Sequence, residues 1–168
     1  MLNKCLVATS VITAIVLFPS FAHADDAFLS YGLGVFSSAK NHASETKILE
    51  VGKRTTIWEE TYWNFQGGFW LDSAGNGRTG SMFASTGPGF EVDPGPFEIR
   101  NAYGLAFITS PDAYLGGVFP QFYGELYFGV RDRRGNGFGI KYNHLSSGPF
   151  FSPNVGRDFG QLELSIRW

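Results

Sequence analysis

His144, Ser146 and Asp158 are an imidazole, a hydroxyl and a carboxylate gathered near the end of a 168-residue chain. An alcohol becomes a competent nucleophile when an imidazole takes its proton, and a carboxylate behind the imidazole fixes the tautomer that can do so. His144 and Ser146 are two residues apart, so on a β-strand both side chains leave the same face. Their α-carbons would then lie roughly 7 Å apart, a gap that a leaning imidazole can close. If the following strand starts near Asp158 and pairs it with His144, the two β-carbons come within about 5 Å. The same spacing has a plainer reading, in which strand ends turn polar as they leave an apolar layer and His144 belongs to an interfacial girdle.

Those residues need strands, and the sequence supplies them. After residue 24 alternation with period two dominates, broken by turn residues, and no stretch has a convincing helical period. Eight segments result: 27–38, 47–58, 60–72, 80–93, 97–109, 119–132, 137–147 and 158–168. In the last, Leu162, Leu164, Ile166 and Trp168 share one face, and Gln161, Glu163, Ser165 and Arg167 share the other. In the sixth, Phe122, Leu126, Phe128 and Val130 oppose Gln121, Tyr123, Glu125 and Arg131. By this parity His144, Ser146 and Asp158 stand on the apolar face, where polar groups are costly unless they lie at an interface or have a task. Ser147, a second hydroxyl, faces the other way. Lys53 fits its segment poorly, and Pro88 between two glycines predicts a bend or bulge.

Composition points to where such strands belong. Aromatic residues are 17% and glycines number 22, yet mean hydropathy is only −0.05. A barrel with apolar side chains facing lipid and polar ones facing inward accounts for both. The N-terminus reads as a cleaved signal peptide over 1–24: Lys4, an apolar run shorter than the ~20 residues of a spanning helix, and the small-x-small site Ala22-His23-Ala24. The single cysteine, Cys5, falls inside that leader, so residues 25–168 hold no disulfide. A net charge of −2 gives no basis for nucleic-acid binding.

The predicted fold is therefore all-β: an eight-stranded antiparallel transmembrane β-barrel of the outer membrane with a filled polar interior. An even strand count puts both termini in the periplasm, with short turns there and longer loops outside. Connections two, four and six are short, at Glu59, Pro94-Gly95-Pro96 and Arg133-Arg134-Gly135-Asn136; the other four are longer. Eight strands leave room inside only for side chains, and Glu50, Arg54, Glu98, Arg100, Glu125, Arg131, Lys141, Glu163 and Arg167 face inward to pair there. A soluble lipocalin-type barrel is the alternative fold, with the faces reversed.

The C-terminal stretch resembles the signature of the lipid A 3-O-deacylase family, PagL: a His-x-Ser pair on a strand, then Pro-Asn-x-Gly, then an acid two positions after the glycine. Here these are His144 and Ser146, Pro153-Asn154-Val155-Gly156, and Asp158. The resemblance is close over about the last thirty residues and elsewhere rests on a leader plus eight strands. It implies Ser146 as nucleophile, His144 as base and Asp158 as orienting acid. It further implies an ester hydrolase of the outer membrane, with its site facing the outer leaflet, that removes a 3-hydroxyacyl chain from the lipid A of lipopolysaccharide without cofactor or metal, and it leaves a homodimer open.

Two departures stand out. Asp158 is one methylene shorter than the family's glutamate, and Ser147 stands where the family often has asparagine. Asn154 and the backbone N–H groups of Ser147 and Gly148 are the oxyanion candidates, though Asn154 fits the shaping of a turn equally well. Tyr142, Phe150 and Phe151 are candidates for a substrate groove and equally for a girdle. The competing function is a small outer-membrane barrel, structural or adhesive, with no catalysis. The glycines of Gly75-Asn76-Gly77 and Gly87-Pro88-Gly89 precede no helix and read as turn and bulge. His42 has no Cys or His nearby to share a metal, and Trp58, Trp63 and Trp70 are expected at the interface or on the wall.

Overall fold

The structure, a computed structural model, describes residues 25–36, 46–72, 79–109, 115, 119–148 and 156–167. Eight strands follow one another as β1 (Asp25–Phe36), β2 (Thr46–Trp58), β3 (Thr61–Asp72), β4 (Thr79–Val92), β5 (Phe97–Ile108), β6 (Gln121–Arg131), β7 (Gly137–Ser146) and β8 (Arg157–Arg167). Each pairs antiparallel with the next, and β1 pairs with β8 to close the barrel. The strands coincide with the eight alternating segments to within one or two residues at most ends. The expected leader, 1–24, and Trp168 lie outside the described residues.

Alternation carries through as predicted. Along β8, Gln161, Glu163 and Ser165 are buried while Leu162, Leu164 and Ile166 are exposed. Along β6, Gln121, Tyr123, Glu125 and Tyr127 are buried while Phe122, Leu126, Phe128 and Val130 are exposed. The exterior is thus a belt of large apolar side chains, the arrangement expected of strands in hydrocarbon. Lys53 on that belt is only 8% exposed and is engaged with neighbours.

The interior divides into two zones. Toward the short connections it is ionic. Glu163 pairs with Arg54 at 2.7 Å, Arg100 at 2.5 Å and Lys141 at 3.3 Å. Arg54 also reaches Asp26 at 3.0 Å, and Lys141 bonds Glu50. The cations lie on aromatic faces as well, Arg54 over Phe28 and Arg100 over Tyr127, contacts that strengthen when water is excluded. Toward the long connections the lumen turns apolar: Ile48, Trp70, Phe83, Ile108, Leu115 and Phe159 pack there, with the Trp70 ring 5.7 Å from Phe83 and 6.0 Å from Phe159. The polar filling expected from the sequence therefore occupies one part of the barrel and an aromatic stopper the other.

Glu163 contacts three cations, so its removal carries a large cost. Taking one partner from a buried ion pair strands an uncompensated charge and costs about 3–5 kcal/mol. Glu163→Ala is expected to lose that much, read as a lowered urea midpoint for the barrel in detergent micelles. An unchanged midpoint would contradict the ionic account of the interior.

Two expectations are corrected. Trp70 is 1% exposed inside the barrel, not on the wall, because it shares parity with Asn64 and Gln66 and their face points inward. Pro88 produces no bulge: β3 pairs with β4 in unbroken register through Trp63 and Pro88. On the β5 side the pairing lapses between Thr86 and Gly89 and resumes in the same register, since proline has no N–H to donate. Irregular register occurs instead at Gly34/Phe36 and at Thr56/Trp58.

Candidate active site on the outer wall

The last hairpin aligns the site. β7 and β8 pair in continuous register, Ile140 with Leu162, Tyr142 with Gly160 and His144 with Asp158. His144 and Asp158 are thus direct cross-strand partners, as the sequence predicted. Their neighbours Asn143, Leu145, Ser147, Arg157 and Phe159 are buried in the barrel, so His144, Ser146 and Asp158 project from the outside, at the end bearing the long connections.

His144 Nδ1 lies 2.7 Å from Asp158 Oδ1. The imidazole side chain is 43% exposed and the carboxylate 15%. A carboxylate on Nδ1 holds the proton there and leaves the Nε2 lone pair free to act as a base. Ser146 stands on the same face and is half-buried, opposite Phe122 on β6. Hydroxyl and imidazole are not hydrogen-bonded to each other. Such contacts are often open without substrate.

One glycine makes room for the ring. Gly156 adopts φ +77°, and a β-carbon there would lie 2.8 Å from His144 Cε1, so any side chain would displace the imidazole or strain the turn. On the other flank His144 faces Gly124 of β6, which Tyr103 covers with its ring edge. Tyr142, predicted as a groove residue, has a second contact the sequence did not suggest: its hydroxyl donates to Asp158 Oδ1 at 2.5 Å. The signal was available, since Tyr142 sits two residues before His144 and a diagonal cross-strand neighbour is within reach of a long aromatic side chain.

Below the site, toward the short connections, the wall carries a groove of 610 Å³ lined by Leu33, Leu126, Phe128, Ile140, Tyr142 and Leu162, with Gly160 in its lining. Its volume falls in the range of small-molecule sites. Ser147 is fully buried, so its hydroxyl is turned away from the site, and Gly148 turns the chain with φ +57°. The candidates Asn154, Phe150 and Phe151 lie outside the described residues. Among the described residues Glu91, Asp93 and Glu98 are close enough to share a cation. Arg131 bonds both glutamates and Arg167 bonds Glu91, which makes the group part of an ion-pair network. Asp132, in the turn between β6 and β7, accepts from the side chain and backbone of Asn136 and the backbone of Arg134, which hold its carboxyl below the usual range.

Fold and site define a small closed antiparallel barrel, apolar outside and filled inside, with a hydroxyl, an imidazole and a carboxylate on its outer wall. No protein-family profile and no curated protein matches the chain. Among solved structures it is similar to the crystal structure of the outer membrane enzyme PagL, with TM-score 0.63 and 18% identity over 84% of this chain and 98% of that one. It is also similar to the backbone structure of the Yersinia pestis outer membrane protein Ail in a phospholipid bilayer nanodisc, with TM-score 0.52 and 10% identity over 85% and 99%. At these identities the likeness is one of fold.

Proposed function

We propose that this chain is an outer-membrane ester hydrolase that removes an ester-linked 3-hydroxyacyl chain from lipid A, exported by a leader over 1–24 and working on the outer leaflet. The observation that carries the reading is the 2.7 Å contact between His144 and Asp158 on the exterior wall, with Ser146 on the same face. An oriented imidazole beside a hydroxyl, above an apolar groove, suits an ester at the boundary between sugar and acyl chain. The structural similarity to an outer membrane enzyme, PagL, is consistent with it, as is the motif running from His144 to Asp158.

In this mechanism Ser146 Oγ attacks the ester carbonyl while His144 Nε2 takes its proton. Asp158 steadies the imidazolium that results. Collapse of the tetrahedral intermediate expels the sugar oxygen, which His144 reprotonates, and leaves the acyl group on Ser146. Water, deprotonated by the same nitrogen, then frees the 3-hydroxy acid. The oxyanion falls to the backbone N–H groups of Ser147 and Gly148 and to Asn154. The acyl chain lies along Leu126, Phe128 and Ile140. No cofactor enters any step.

The test is mass spectrometry of lipid A from a Gram-negative host expressing the chain or an empty vector. Loss of one ester-linked 3-hydroxyacyl mass only in the expressing cells is the expected result; identical lipid A in both refutes the proposal. A second reading, a barrel without catalysis, draws on the lack of a hydrogen bond between Ser146 and His144, and the same spectra separate the two.

A further inference from the structure

We propose that Tyr142 is a positioning residue, its phenolic hydroxyl holding Asp158 in the rotamer that orients His144. The proposal rests on the hydrolase reading of the site and adds to it a residue on which the rate depends. Asp158 Oδ1 accepts two hydrogen bonds, one from Tyr142 Oη at 2.5 Å and one shared with His144 Nδ1 at 2.7 Å. Both donors come from β7, two residues apart on one face, and converge on a single oxygen of β8.

The strand register explains how the phenol gets there. Tyr142 faces Gly160, which has no side chain to occupy the space across the hairpin, and Asp158 is the next outward residue beyond it. The ring can therefore lean along the wall toward the carboxylate. A tyrosine of an interfacial girdle sends its hydroxyl to water or headgroups; this hydroxyl is engaged by a carboxylate that is itself 15% exposed.

Asp158 needs such a partner. It is the second residue of β8, and a short acid has little reach with which to follow a moving imidazole. With one hydrogen bond its carboxylate can swivel, and the imidazole can then exchange its proton between the two nitrogens. A second donor on the same oxygen holds the carboxylate in one rotamer and keeps the imidazole proton on Nδ1, leaving the Nε2 lone pair free to act as a base. The ring of Tyr142 lines the groove as well, so substitutions can separate hydroxyl from ring.

The test uses the full barrel, purified in detergent micelles, as wild type, Tyr142→Phe and Tyr142→Ala, each checked for heat-resistant compact mobility on gels. Two readouts are taken: kcat and KM on lipid A, and the nitrogen-15 spectrum of the His144 ring, assigned by its loss in His144→Gln. Tyr142→Phe is expected to lower kcat about ten- to hundredfold with KM held within about twofold, and to shift the ring from a single Nδ1-protonated tautomer to a mixture. Tyr142→Ala should raise KM in addition. A Tyr142→Phe barrel with wild-type kcat and an unchanged His144 spectrum overturns the proposal, as does a change confined to KM. If the wild type cuts no lipid A, the hydrolase reading fails separately, and the nitrogen spectra alone decide whether Tyr142 governs the tautomer.

Discussion

Ser146→Ala is expected to abolish lipid A cleavage while leaving the barrel intact. Deleting the nucleophilic oxygen of a relay of this kind costs about six orders of magnitude in kcat, because the remaining base has no hydroxyl to activate. The fold has little at stake. Ser146 is half-buried at the very end of β7, and a substitution at such a place shifts stability by about 0.5 kcal/mol or less. The His144–Asp158 pair lies across the hairpin and does not depend on the hydroxyl. The measurement is the rate of 3-hydroxy acid release by the purified barrel, beside its urea midpoint. A variant retaining more than about a hundredth of the wild-type rate, against that six-order expectation, removes Ser146 from its role. Ser147 cannot take its place, since that side chain is buried in the lumen.

The second large effect concerns the proton on the imidazole. Asp158→Asn is nearly isosteric, but it removes the charge and, with its amide nitrogen in the place of the oxygen that His144 and Tyr142 share, offers an N–H to His144 Nδ1 and to the Tyr142 oxygen. The bond to His144 is satisfied only if Nδ1 accepts, which moves the ring proton to Nε2 and faces the hydroxyl with a donor in place of a base. Such a tautomer reversal lowers kcat by about 10⁴. Asp158→Glu is the informative contrast: it restores the charge and the acceptor and lengthens the reach by one methylene, so activity should recover well above the asparagine variant. Single-turnover rates on lipid A check both. Asparagine within about tenfold of wild type, far short of that 10⁴, would mean that His144 does not depend on this carboxylate.

Much of the architecture was legible because a barrel strand has only two faces. Once Leu162, Leu164 and Ile166 are set outward, Glu163 must point in, and the parity of every other residue in β8 follows. The pairing of His144 with Asp158 was legible for the same reason, one hairpin with one register. What escaped were features that depend on lateral closure. Asp26 is the hairpin partner of Arg54 but meets Arg131 of β6 only because β1 is wrapped into the ring, and the apolar stopper forms only because Ile48, Trp70, Phe83 and Phe159 come from four different strands to one level. Trp70 was misplaced by its type, as an aromatic expected at an interface, although its parity with Asn64 already pointed inward. The role of Gly156 was hidden too: its sequence context suggests a turn, and only the imaginary β-carbon shows that the imidazole needs its space.

Among the described residues the ionic zone and the aromatic stopper fill both parts of the cylinder. An eight-stranded barrel packed with its own side chains is a frame and not a conduit. Outward positions away from the candidate site can then vary without disturbing the interior pairs. On the proposed hydrolase reading, changes of specificity can be written on Leu126, Phe128 and Ile140 while the same interior struts keep the frame upright.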